Sequence, residues 1–453
     1  MGRRSHSRSL GVWANGQRVA RWTLPARGPM ELSYEPSWLE APEARPLSLS
    51  LPMNFDGVAL RGDKVHSYFD NLLPDSEPIR QRIRGRFGTR TTEAFDLLAA
   101  IGRDCVGAIQ LLPDDEAPAD VHTIQASALD DAGIERLLNT ASAPKRFAAR
   151  AETGADDDDA DAFRISIAGA QEKTALTFHR GRFCLPRGAT PTTHIFKLPL
   201  GLVGGRQLDM RHSLENEWLC AQLLAAYGLP IARCEVREFG ATRALVVERF
   251  DRTLHASRRY WLRLPQEDMC QATGTPSALK YESDGGPGIA TIAQVLGGSE
   301  TRAEDLATLL RAQLLFWMLA ATDGHAKNFS IRLLAGGRFQ LTPLYDVLSA
   351  WPIAGSGKNQ LHPKKLRLAL ALRGAHKHYR LDEIHRRHFN AAARHCAYAP
   401  DMEPLIDEIL EATPGVIERT SADLPHGFPA QLFDTITTGL RKSAARLARM
   451  PAH

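Results

Sequence analysis

No run of apolar residues in this 453-residue chain approaches the roughly 20 positions that cross a bilayer as a helix, so nothing in it reads as a membrane-spanning segment. The basic start MGRRSHSRSLG lacks the apolar stretch of a secretory signal, and a cytoplasmic protein is expected. Cysteine is scarce. The six present, Cys105, Cys184, Cys220, Cys234, Cys270 and Cys396, include no CxxC pair; this argues against a zinc ribbon or a disulfide scaffold and fits buried thiols in a reducing compartment. A strong charge imbalance is missing too: 56 Lys and Arg against 52 Asp and Glu leave a formal +4, too little to mark a nucleic-acid binder. No internal repeat or low-complexity array is visible.

What is present is enough to fold. With 43% hydrophobic and 24% charged residues, the chain can bury a full core, and its length suits two or three domains. The first 115 residues alternate strands and turns, as around the Asn15-Gly16 hairpin signal, then shift to helices at FDNLLPDSEPIRQRIRGRF and EAFDLLAAIG. A helical segment near 130 to 150 leads into AETGADDDDADA, a small-residue and acidic linker. Strand signals dominate from 163 to about 250, interrupted by HSLENEWLCAQLLAAYG, whose Leu214, Trp218, Leu219, Leu223 and Leu224 fall at helical spacing. Helices follow from about 256. The expectation is an α+β protein in three parts: an N-terminal α+β module and linker over 1–155, a small β-rich lobe over 156–255, and a larger helical lobe over 256–453, with a ligand cleft between the lobes. The basic stretches HPKKLRLALALRGAHKHYR, HRRHF and LRKSAARLARM read first as solvated helix faces, with contact to an acidic partner or nucleic acid as the rival.

Chemistry concentrates in ATDGHAKNFSIRLLAGGRFQLTPLYDVLSA. It follows LATLLRAQLLFWMLA, apolar on nearly every face and so expected to be a buried helix that holds the next loop rigidly. Phe329 to Leu334 and Arg338 to Tyr345 read as strands joined by Ala335-Gly336-Gly337, with Asp346 ending the second. A hairpin centred on residue 336 sets residue 328 opposite residue 344 and brings Asn328 beside Asp346. Mg²⁺ takes such oxygen ligands. Asp323, on the same loop, is placed to accept or orient the proton of a hydroxyl. Lys197, on the strand THIFKLP, suits a nucleotide phosphate, although an exposed edge lysine is the plainer expectation. Glu215 and Glu217 are candidates to pair with it, Glu217 the better, with exposure the default for both. RALVVERFDR reads as a strand entering a turn whose backbone near Glu248 to Phe250 could bind adenine. In ISIAGAQEKTAL, a strand over Phe163 to Ile167 breaks at Ala168-Gly169-Ala170 and resumes through Gln171, Glu172 and Lys173 into an apolar-alternating run to Phe178. A tip of small residues brings backbone N–H groups close to an anion, as a lid over phosphates would. His376, His378, His385, His388 and His395 are weak as a metal site because Arg386 and Arg387 would repel a cation. Cys105 reads as buried and apolar rather than nucleophilic.

These parts resemble protein kinases in order, but without GxGxxG, HRD or DFG. SIAGAQEKTAL, ENEWLC, VERFDR, TDGHAKNFS and LTPLYDVLS, together with RPLSLSLP, FDNLLPD and LLAAIGRDCVGA, resemble the HipA family, bacterial serine/threonine kinases that act as toxins in toxin–antitoxin pairs. The resemblance implies a protein-kinase-like bilobal fold after the N-terminal module, with ATP and Mg²⁺ as cofactors. It implies Asp323 as catalytic aspartate and Asn328 and Asp346 as magnesium ligands. Ala168, Gly169, Ala170, Gln171, Lys197, Glu248, Phe250 and His325 would bind ATP, and Ser166 would be autophosphorylated. It also implies a small dimeric helix-turn-helix antitoxin of the HipB kind, through which the toxin meets operator DNA. The substrate class implied is an aminoacyl-tRNA synthetase, glutamyl-tRNA synthetase first, whose phosphorylation stalls translation and produces persistence. No membrane contact is implied. The rivals are a lipid or small-molecule kinase, which FDNLLPD argues against, and a catalytically weak corepressor partner of the antitoxin, which the set Lys197, Asp323, Asn328 and Asp346 argues against.

Overall fold

The computed structural model describes residues 6–142, 171, 173–374 and 376–452. The linker AETGADDDDADA and the lid residues Ser166, Ala168, Gly169 and Ala170 lie outside them. The chain forms two compact units that do not follow its linear order: the first comprises Met1–Leu198, Arg237–Ala278 and Arg332–Arg338, the second Pro199–Val236, Leu279–Ile331 and Phe339–His453.

In the first unit, a five-stranded sheet runs in the order Leu60–Arg61, Glu31–Tyr34, Gln17–Leu24, Arg8–Ala14, Ile109–Pro113. The first hairpin turns at Asn15 (φ 49°) and Gly16 (φ 88°), the double left-handed conformation of a two-residue hairpin loop. Its buried face carries Trp22, stacked on Phe69 at 3.8 Å and tilted against Phe95 at 4.8 Å, so the helices Asp63–Asp70 and Ala94–Ile101 close this core. The helical stretch expected at FDNLLPDSEPIRQRIRGRF is divided: Asp63–Asp70 stops before Pro74, and Glu77–Phe87 restarts, since proline breaks the hydrogen-bond ladder. A six-stranded sheet follows the order Cys234–Phe239, Thr242–Glu248, His194–Lys197, Lys173–His179, Arg182–Pro186, Ala126–Ala128. Phe183, Phe196 and Phe239 pack edge-on or tilted at 5.0 to 6.2 Å, against Ile134 and Leu138 of the helix Asp131–Ser142. The alternation expected over Lys173 to Phe178 is absent. Thr174 to Thr177 are all buried, because this strand is internal and covered on both faces.

The second unit is mainly helical. Arg302–Leu319 is buried over most of its length, including Leu309, Leu310, Leu314, Leu315 and Phe316, as a helix apolar all round must be. The helices Ser213–Ala226, Arg386–His395, Glu403–Ala422 and Ala430–Arg449 belong to the same unit. Within the terminal basic helix, Arg446 is spent internally: it donates to the carbonyls of Leu381, Asp382 and Ile384 and lies over the Trp317 ring. No helix among the described residues is long and apolar enough to cross a membrane.

Candidate functional site

The loop after Arg302–Leu319 is set by backbone geometry. Ala320 takes a left-handed conformation (φ 50°) and ends the helix, while the Ala321 N–H returns to the Phe316 carbonyl. A Cβ on Gly324 would sit 2.6 Å from the Phe316 ring, so the loop lies flat on the helix only with glycine there. A short turn then closes, Asn328 N–H donating to His325 O at 2.9 Å and Phe329 N–H to Ala326 O. Asp323 is left outward, its side chain 63% exposed, while His325, Lys327 and Asn328 are buried.

The following hairpin has the register expected from the sequence. Thr342 N–H donates to Ser330 O, and Leu334 N–H to Arg338 O, both symmetric about Gly336, which with Gly337 turns the chain at φ 73° and 76°. The second strand, however, stops at Leu341 rather than running to Tyr345, since Pro343 has no N–H to continue it. Asn328 still reaches Asp346: its Nδ2 lies 3.4 Å from the Asp346 carbonyl. Its Oδ1 is buried with no hydrogen-bond partner among the described residues, a costly state for an amide oxygen unless a ligand takes it. Asp346 holds φ 61°, a strained backbone for a residue other than glycine. An orphaned buried amide oxygen suits a hard cation such as Mg²⁺.

The surroundings fix this segment from two sides. The Tyr345 hydroxyl donates to the Lys327 carbonyl at 2.7 Å and sits 2.5 Å from Ser330 Oγ. Asn216, on the ENEWLC helix, grips the backbone of Ser349 with both amide atoms, Nδ2 to its carbonyl at 2.7 Å and Oδ1 from its N–H at 2.8 Å. Its flanking carboxylates Glu215 and Glu217 are buried, at 2% and 6% exposure, not exposed as expected. Asn216 carries no local signal of this role in the sequence, because its partner lies 133 residues away.

Within the first unit, Lys197 is 5% exposed on a strand paired on both sides, so it is no edge lysine. Lys173 stands directly opposite it in the antiparallel register. Gln171, the one described lid residue of the candidate set, donates from Nε2 to the Leu198 carbonyl. At the turn after Thr242–Glu248, Glu248 is exposed, Phe250 half-buried, and the Arg249 N–H is taken by Thr193 O at 2.9 Å. Arg249 and Arg252, which carried no weight in the sequence analysis, enter a buried ionic cluster with Asp104, Asp251 and Arg263. Burial alone would raise the Asp104 carboxyl; Arg252, Arg249 and Arg263 hold it well below the usual range. Cys105 is buried in the hydrophobic core, as expected, which pushes its thiol up to about 12, while its backbone carbonyl accepts from both Arg249 and Arg252.

Comparison with known proteins agrees with this geometry. Residues 165–417 match the HipA-like C-terminal domain and residues 10–112 the HipA N-terminal domain. The chain is 35% identical over 346 residues to the putative kinase Y4mE of Sinorhizobium fredii, covering 76% of this chain and 77% of that one. It is 27% identical to the serine/threonine-protein kinase toxin HipA of Shewanella oneidensis, over 70% of this chain and 69% of the other. In fold it resembles a solved complex of Shewanella oneidensis HipA with HipB and operator DNA, with a TM-score of 0.76 at 20% identity, covering 97% and 98% of the two chains. The N-terminal module, the kinase-like body and both family matches lead to one assignment: the chain belongs to the HipA family of kinases.

Proposed function

We propose that this chain is an ATP- and Mg²⁺-dependent protein serine/threonine kinase that acts as the toxin of a toxin–antitoxin pair. The observation that carries the site assignment is the buried, unpartnered Asn328 Oδ1 next to Asp346, on the loop that presents Asp323 outward. Asn328 and Asp346 hold the metal, which when bound neutralises phosphate charge during transfer. Asp323 accepts the proton of the substrate hydroxyl. Lys197, with Lys173 opposite it, counters the nucleotide phosphates; Glu248 and Phe250 meet the adenine, and His325 lines the same site. The segment with Ser166, Ala168, Gly169, Ala170 and Gln171 covers the phosphates, and phosphate on Ser166 would repel the triphosphate and open it. The protein substrate is a translation enzyme, an aminoacyl-tRNA synthetase of the glutamyl type being the leading choice. A HipB-like helix-turn-helix antitoxin is the partner, with operator DNA reached mainly through it. The likeness to the HipA, HipB and DNA complex supports that pairing.

Mass spectrometry of host proteins phosphorylated on induction, compared with Asp323→Ala, tests the reading. A translation enzyme labelled only by the wild type supports it. Label confined to lipids or metabolites would replace it with the small-molecule kinase, and growth arrest by Asp323→Ala as strong as by the wild type would remove phosphorylation as the cause.

A further inference from the structure

The segment Lys280 to Gly288, KYESDGGPG, has no part in the chemistry described so far, yet it meets the catalytic loop directly. The Tyr281 hydroxyl donates to Asp323 Oδ1 at 2.5 Å, and its ring stands edge-on to His325 at 5.0 Å and 85°. The backbone beside it is tied to the same loop, since Ala326 N–H donates to Lys280 O at 3.3 Å. On the other side Glu282 anchors the segment: it is buried, its Oε2 accepts the Ala371 N–H at 2.7 Å, and its Oε1 pairs with Lys377 at 2.9 Å. The turn that follows is compact. Asp284 and Gly286 N–H both donate to Tyr281 O, a Cβ on Gly286 would fall 1.8 Å from Leu279 O, and one on Gly288 would fall 2.4 Å from the Glu282 carboxyl carbon. A side chain at either glycine would therefore displace the strut.

Asp323 needs such a strut. It is the most exposed of the loop's functional side chains, and an exposed carboxylate rotates freely about χ1 and χ2 unless something holds it. From this we infer that Tyr281 is a positioning residue of the phosphoryl-transfer site: it occupies Oδ1 and turns Oδ2 toward the incoming hydroxyl. This rests on the assignment of Asp323 as the proton acceptor. In the transfer, the substrate oxygen bonds to the γ-phosphorus, the bond to the ADP oxygen breaks with its electron pair leaving on ADP, and the substrate proton passes to Oδ2. The Tyr281 proton stays on its own oxygen throughout. Because the Tyr281 hydroxyl acts on the substrate through Asp323, its loss slows the chemical step and leaves nucleotide binding alone.

The test uses the full chain and radiolabelled ATP, with the phosphatase-treated protein of a bacterial lysate as acceptor, and compares wild type, Tyr281→Phe, Glu282→Gln and Asp323→Ala. Tyr281→Phe keeps the ring against His325 and removes only the hydroxyl. Its turnover at saturating ATP should fall about 10- to 100-fold, with KM for ATP and the thermal midpoint within error of the wild type. Glu282→Gln, which loosens the strut one residue away, should show the same split in milder form. Wild-type turnover in Tyr281→Phe, with Asp323→Ala inactive, overturns the inference and leaves the site assignment standing. Faster turnover overturns it in the other direction, making Tyr281 a group that blocks the carboxylate. Activity retained in Asp323→Ala removes the underlying assignment, and the inference with it.

Discussion

Two regions of this molecule bury polar groups for opposite ends. In the first unit, Asp104, Arg249, Asp251, Arg252 and Arg263 are each under 7% exposed and charge is set against charge: Arg249 meets Asp251 at 2.7 Å and Asp104 at 3.4 Å, Arg252 meets both carboxylates, and Thr192 donates to Asp104. In the second unit, the Asp323 to Asn328 loop leaves Asn328 Oδ1 buried without a hydrogen-bond partner among the described residues, and Asp346 holds a left-handed backbone. A buried ionic group whose partners are all protein is a fastening, whereas one left short of partners is waiting for something that is not protein. The fastening joins Asp104 of the IGRDCVGA motif to Arg249, Asp251 and Arg252 of the VERFDR turn, which gives a physical reason for the charges in that turn. The loop, on the function proposed above, would be tuned the other way, with local stability given up for open ligand positions.

The largest effects should separate the two regions by what they destroy. Asp323→Ala should reduce phosphoryl transfer by at least about 10³-fold, with nucleotide affinity and thermal midpoint nearly unchanged. Asp346→Ala should be equally inactive and, unlike Asp323→Ala, lose Mg²⁺-dependent ATP affinity. Calorimetry with ATP and Mg²⁺ reads the difference, and equal wild-type binding by both variants would refute the metal assignment. Asp104→Ala should do the reverse. It leaves three buried guanidiniums against one carboxylate, and breaking such a cluster costs about 3–5 kcal/mol, seen as a lower urea midpoint. If Asp104→Ala unfolded no earlier than the wild type, the cluster would not be a fastening.

How much of this was legible beforehand follows the range of the interactions involved. The pairing of Asn328 with Asp346 could be read because it depends on a local hairpin whose turn, Ala335-Gly336-Gly337, marks its own axis. The helix Ser213–Ala226 and the buried Arg302–Leu319 were legible from apolar spacing alone. The end of the strand at Leu341 was misjudged by giving its apolar character more weight than Pro343. The ionic cluster and the Tyr281 strut were not legible, because each joins residues dozens to more than a hundred positions apart, and the burial of Glu215 and Glu217 was not, because charge in sequence defaults to the surface. Arg249-Phe250-Asp251-Arg252 held a usable signal: three charges at the end of a buried strand, Ala244 to Val247, need partners in the interior.

Glu267 sharpens the comparison with a smaller effect, since it is a buried carboxyl in the first unit without a cation in contact. It is fully buried, its Oε1 accepts the Leu49 N–H at 2.9 Å, and its Oε2 has no partner among the described residues. Burial raises it from 4.5 to about 8. The folded state thus keeps a proton that the unfolded chain releases, so this group's contribution to stability falls as pH rises from about 4.5 to about 8 and is flat beyond. Glu267→Gln cannot ionise and keeps an oxygen for Leu49. It should be more stable than the wild type above pH 8, with the gap closing toward pH 5, as read by thermal melts across that range. A gap independent of pH would show that Glu267 is not protonated in the fold.

The smallest effect tests whether the strain at Asp346 belongs to function. At φ 61° a residue with a Cβ pays a steric cost that glycine does not, on the order of 1 kcal/mol. Aspartate tolerates this region better than alanine through local hydrogen bonding, so the informative pair is Asp346→Gly against Asp346→Ala. Both lose the carboxylate, and both should be inactive with equally weak Mg²⁺-dependent nucleotide binding. They should differ in stability alone, the glycine variant unfolding later by about 0.5–1 kcal/mol. If the two melt together, the backbone there has relaxed out of the left-handed region once the carboxylate is gone, and the side chain rather than the surrounding packing sets the conformation. If glycine is the more stable, the hairpin and the Asn216 grip on Ser349 impose the conformation, and the chain holds its metal aspartate in a strained position that only the bound ion repays.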